Sequence, residues 1–153
     1  VSSVLRTIAD SLATGLQSVT WNITSTTVER KNWANIDVDA MSVPRVVVIP
    51  SSADVTRISR THMQMDYTVT VFVGRHVTTD GEVDGMLDLA DRVMLYVRAH
   101  SFGAGVIWPS GVTSPQTVSI DINPDDALTE RNVWRAVITA TYRVFEANVL
   151  PTV

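Results

Sequence analysis

Six residues of "DGEVDGMLDLAD" (80–91) fall where a calcium loop places its ligands and its sharp turn. Asp80, Glu82, Asp84, Gly85, Asp88 and Asp91 occupy positions 1, 3, 5, 6, 9 and 12, with apolar Leu87 at position 8. Such a loop gathers oxygens round a hard cation, and it needs a helix on each side and a long carboxylate at position 12 that binds bidentately. Here position 12 is the shorter Asp91, position 3 is an atypical Glu, and the segment before the loop alternates like a strand. Ala90, which should lie inside the cage, already belongs to an apolar helical stripe begun at Val83, and it cannot serve both patterns. The same residues read more simply as a helix start. Thr79 and Glu82 form a T-x-x-E capping box, the acids suit the positive end of the helix, Arg92 and Arg98 suit the other end, and Asp88 can pair with Arg92.

Other chemistry is thinner. His62, His76 and His100 stand apart in sequence, and no nucleophile elbow, zinc-helix or phosphate-loop signature occurs. "DINPDDALTE" (121–130) concentrates acids, but Pro124 and its place between two strands favour an exposed turn over a two-metal site. An enzyme reading would require a pocket around Asp121, Asp125 and His100. We therefore assign no catalytic residue, cofactor or metal site. Binding has better candidates. "AGVIWP" (104–109) sets Ile107 and Trp108 in a loop of Gly, Pro and Ser, either as a lid over the protein's own core or as a tip that fills a partner's pocket. "PSSADVTRISR" (50–60) reads as a long hairpin region in which Arg57 and Arg60 could form the polar rim of a contact. Eleven Arg against the single Lys31 fit either an interface-rich surface or a coding bias.

These residues need elements to position them, and the period of the apolar residues supplies the elements. Leu5, Ile8, Leu12 and Leu16 predict a first helix over 3–17, with a narrow stripe. "TTVERKNW" (26–33) alternates weakly and suggests an edge strand, whereas "PRVVVIP" (44–50) is a β-branched run fenced by two prolines and suggests a buried one. "MQMDYTVTVFVGR" (63–75) puts Met65, Tyr67, Val69, Val71 and Val73 on one face. After a turn at 79–81, Val83, Met86, Leu87, Ala90, Val93, Met94 and Val97 predict the main helix. "QTVSIDI" (116–122) should turn Val118, Ile120 and Ile122 inward, and "WRAVITATYRVF" (134–145) should do the same with Trp134, Ala136, Ile138, Ala140, Tyr142 and Val144. Strands grouped in runs around a main helix predict an α+β fold, with a mostly antiparallel β-sheet and two main helices packed on one face.

Bulk properties agree with one domain over 1–153. A 45% hydrophobic chain of this length can bury one substantial core. The absence of cysteine excludes disulfides and thiolate metal sites and makes a cytoplasmic setting the default. No run has the length of a membrane span, and the first residues alternate apolar and polar unlike a signal peptide, so a soluble protein is expected. A net charge of −4 with scattered basic residues argues against an electrostatic grip on nucleic acid.

The order of a first helix, "TTVERKNWANIDVDAMSVPRVVVIPSS", the strand "SRTHMQMDYTVTVFV", the acidic helix "DGEVDGMLDLADRVMLYV" and the closing strand "RNVWRAVITATYRV" resembles phage tail terminator proteins over residues 26–146. The resemblance rests on pattern and element order, because the family carries no catalytic signature. It implies a non-enzymatic virion subunit, assembled in the host cytoplasm, that forms a hexameric ring on the last ring of the tail-tube protein. Such a ring stops tube growth and offers a docking face to the head-tail connector protein, while DNA passes through the bore without specific binding. The nearest alternative is another neck or tail role, a head-tail stopper or a tail-tube subunit. A small metal-binding or enzymatic domain is the more distant one.

Overall fold

Alternation and helical stripes become seven elements in the computed structural model, which describes residues 4–32, 42–99, 115, 117–123 and 132–147. Helix α1 (Val4–Gln17) is followed by strands β1 (Thr27–Arg30), β2 (Arg45–Arg57) and β3 (His62–His76), helix α2 (Asp80–Ala99), and strands β4 (Thr117–Ile122) and β5 (Val133–Ala147). The strands form one sheet in the order β1-β2-β3-β5-β4. The fold is α+β with both helices on one side of the sheet. Its sheet is mixed, because β1 pairs parallel to β2 while the other three pairings are antiparallel.

The helix-side face of the sheet is built from every second residue. Register aligns Val46 with Val73 and Val48 with Val71 across β2 and β3, then Val73 with Ala136 and Val71 with Ile138 across β3 and β5. These side chains are buried together with Ile8, Leu12 and Leu16 of α1 and Met86, Leu89 and Val93 of α2. α1 lies over β1, β2 and β3, and α2 over β3, β5 and β4. The stripe of α1 is wider than Leu5, Ile8, Leu12 and Leu16, since Ala9 and Ala13 are buried beside them and let the helix sit close to the strands. Trp21 joins the two helices: its ring meets Tyr96 edge-on at 6.4 Å, and its Nε1 donates to the Leu16 carbonyl at 3.3 Å. Such an edge-to-face pair stabilises beyond its buried area by about 1 kcal/mol.

Three details depart from the pattern read in the sequence. β2 does not stop at Pro50 but runs on to Arg57, through a bulge between Pro50 and Ser52. The carbonyls of Pro44 and Val48 accept from Thr27 and Lys31 at the β1 edge, and Pro50 shares their parity. Its missing N–H therefore faces the side where β1 has already ended, and no ladder bond is lost. Ile122 was expected inside with Val118 and Ile120, but it is 46% exposed at the end of β4. Just beyond it Asn123 turns the chain with φ 47°, a left-handed conformation that Asn tolerates, so the ladder stops there. Leu89, finally, is fully buried on α2 although the sequence stripe passed it by.

Candidate functional site

The acidic segment resolves first. Residues 80–91 form the opening turns of α2, so their carboxylates are strung along a helix instead of converging on one point. The cap is formed in a shifted way. Thr79 Oγ1 accepts from the Glu82 amide at 3.2 Å, but the Glu82 carboxylate reaches back past Thr79 to the Thr78 amide at 2.9 Å. Arg75 Nη2 also approaches Glu82 Oε1, at 3.9 Å, and ties the end of β3 to the start of α2. The expected Asp88–Arg92 pair is not formed among the described residues. Both side chains are exposed, where an i,i+4 pair gains only about 0.5 kcal/mol against the entropy of two long side chains. Among the described residues no group of three or more His, Asp or Glu could hold a metal ion. Of the enzyme candidates, Asp121 is exposed on β4, while Asp125 and His100 lie outside the described residues. Ile107 and Trp108 also lie outside them.

Arg57 and Arg60 sit on the feature that stands out. β2 and β3 pair continuously from Ser52↔Thr68 to Arg57↔Met63, and every residue from 51 to 62 is exposed. This is a β-arm that leaves the helix-covered body. β5 accompanies it as a third strand, with Met65↔Val144 and His62↔Ala147 in register. β1 pairs only with residues 45–48 of β2 and β4 only with residues 136–141 of β5, so among the described strands the arm has two open edges. On the helix side it carries Val55 opposite Met65 and Arg57 opposite Met63.

The tip is held by its own hydrogen bonds. Ile58 and Ser59 amides donate to the His62 carbonyl at 3.3 and 3.2 Å, and Ser59 Oγ accepts from the amides of Thr61 and His62 at 3.3 and 3.0 Å. Arg57 Nε donates to the Ser59 carbonyl at 3.2 Å, which fixes its stem, and Arg60 is exposed with no ion pair among the described residues. A side-chain hydroxyl that closes a turn on its own backbone orders a short loop without a core. Val55 and Ile58 are 54% and 51% exposed, the two most exposed large hydrophobic side chains described.

At the root of the arm, the face away from the helices is stapled by charge. Arg143 donates to both oxygens of Asp66, from Nε at 3.0 Å and from Nη2 at 3.3 Å, and Gln64 adds a bond to Oδ2 at 3.3 Å. The Arg143 hydrogen bond holds the Asp66 carboxyl below its ordinary range despite partial desolvation, and Gln64 acts in the same direction. The bidentate bridge also screens Asp66 from Asp54, its direct partner across the strands, since like charges in that position repel. The hydroxyls of Ser51 and Thr70, and of Thr68 and Thr141, join the strands in the adjacent rows.

The sequence pointed to a long hairpin over 50–60 and to Arg57 and Arg60 on it, but it missed Val55, Ile58 and the unbroken run of β2 past Pro50 into the arm. The signal was present: Ala53, Val55 and Arg57 continue the period of two beyond Pro50, opposite Tyr67, Met65 and Met63. Compared with known proteins, the chain matches no family model and shows no significant similarity to a curated protein.

Proposed function

We propose that the chain is a structural virion subunit of the phage tail terminator kind, a ring-forming protein that ends tail-tube growth and meets the head-tail connector. The arm carries this reading. A three-stranded extension whose edges are open among the described strands, with exposed Val55 and Ile58 and a tip ordered by its own hydrogen bonds, contributes little to the buried core and suits contact with another surface. The element order resembling that family supplies the rest. In this reading the arm and its arginines meet protein neighbours: further copies in a hexamer, the tail-tube protein below or the connector above. No cofactor takes part, and DNA crosses the bore without specific binding, in keeping with a net charge of −4 and scattered basic residues.

The test is location. Antibody-gold labelling of virions that carry this chain should mark the junction of tail and head. Label along the whole tube, or none on virions, would overturn the terminator reading, and the former outcome would favour a tail-tube subunit.

A further inference from the structure

The apolar row on the helix side of the sheet outlasts the helices. Beyond buried Tyr67 it continues onto the arm as Met65 and exposed Val55, with Arg57 next on the same face and Arg60 in the tip. A second exposed apolar side chain lies on α2, where Leu95 is 46% exposed. Helical spacing sets Asp91 one turn and Asp88 two turns before it on the same flank, with Arg92 and Arg98 to either side of that line. Neither Asp88 nor Asp91 has an ion pair among the described residues. One chain thus carries two complementary surfaces, an apolar centre with cations on the arm and an apolar centre with carboxylates on α2.

They cannot meet within that chain. Val55 stands on the helix side of the sheet, and Leu95 lies on the flank of α2 turned away from the sheet, so both look outward from the same side. Between two copies they can face each other. We propose that the arm of one copy docks on the outer flank of α2 of a second copy, seating Val55 and Ile58 against Leu95 and setting Arg57 and Arg60 towards Asp88 and Asp91. The contact joins two different surfaces, which is what a closed ring requires, and in this it rests on the reading of the chain as a ring subunit.

The chain has no cysteine, so introduced thiols report the contact directly. Both positions are exposed, and Val55→Cys with Leu95→Cys in the full chain leaves the core untouched. A short bifunctional maleimide should give a ladder of covalent oligomers from the double variant and none from either single variant. Charge reversal is the second arm. Arg57→Glu with Arg60→Glu, and separately Asp88→Arg with Asp91→Arg, should each weaken self-association measured by light scattering roughly tenfold, and an equimolar mixture of the two variants should recover it. An oligomer that gives no ladder and ignores both reversals overturns this contact and leaves the ring reading standing. A chain that stays monomeric at every concentration and gives no ladder overturns both. Coupling of Val55→Cys alone would mean that arms pair with arms, and would also overturn the proposal.

Discussion

β3 is two strands in one. From Tyr67 to Val73 its helix-side residues are sealed under α1 and α2, while at its other end His62 is bare and Met63 and Met65 are only partly covered. Backbone pairing is the same at both ends, with β2 on one side and β5 on the other. What changes is the cover. The 15 residues of β3 span about 50 Å, whereas the 20 residues of α2 span about 30 Å, so a helix laid back along the strand cannot reach its far end. Burial stops where the helix stops, and the ladder continues without it. The body is held by apolar burial, and the arm by hydrogen bonds, the Asp66–Arg143 bridge and tip turns. A buried core layer and an exposed surface thus share a single strand.

That division can be broken most severely in the body. Ile138→Ala, at the centre of the buried face, should cost about 2–5 kcal/mol of folding stability in denaturant melts, through lost transfer and the cavity left behind. A cost as small as that of an exposed position would mean that this layer is not the core. Next comes the joint between sheet and helix. Thr79→Ala removes the hydroxyl that caps the Glu82 amide and should cost about 1 kcal/mol.

The staple of the arm should be sensitive to acid. Because the Arg143 hydrogen bond lowers the folded-state Asp66 pKa, the charged form favours folding. The contribution is complete above the unfolded carboxylate value of about 3.9 and is lost as pH falls through the lower folded value. Asp66→Asn should therefore be less stable than the wild type by a constant margin near neutrality, and the margin should shrink below about pH 4. Melting curves of the two proteins across that range check the sign. A margin that grows in acid would place the stabilising proton on the wrong state.

The smallest effects on folding belong to the arm tip. Val55→Ser and Ile58→Ser should each leave stability within about 0.5 kcal/mol of the wild type, because neither side chain is buried. If instead they behave like Ile138→Ala, the arm is part of the folded core and not an exposed extension of it. Added calcium should leave the melting temperature unchanged, since a ligand bound only by the folded state must raise it and the acids of α2 lie along a helix.

Much of this architecture was legible in the sequence. Val69, Val71 and Val73 alternate so plainly that β3 and its buried face follow from period alone, and Thr79 with Glu82 marks the start of α2. The parallel pairing of β1 was not legible, because pairing direction depends on the course of the chain between Arg30 and Arg45 and leaves no local period. The arm was half legible. Pro50 looks like a strand end, and only the position of the β1 edge makes it harmless. Exposure of Val55 and Ile58 depends on how far α2 reaches over the sheet, and no window of sequence encodes that.

If the chain is a ring subunit, its arm is bare in the free subunit and covered in the assembled one. Amide hydrogen exchange, followed by mass spectrometry on isolated protein and on protein within its native assembly, reads this segment by segment. Residues 51–62 should exchange quickly in the isolated chain and become protected on assembly, while 69–73 and 136–140 stay protected in both. Equal exchange of residues 51–62 in the two states would show that the arm meets no partner, and would contradict its role as a contact surface.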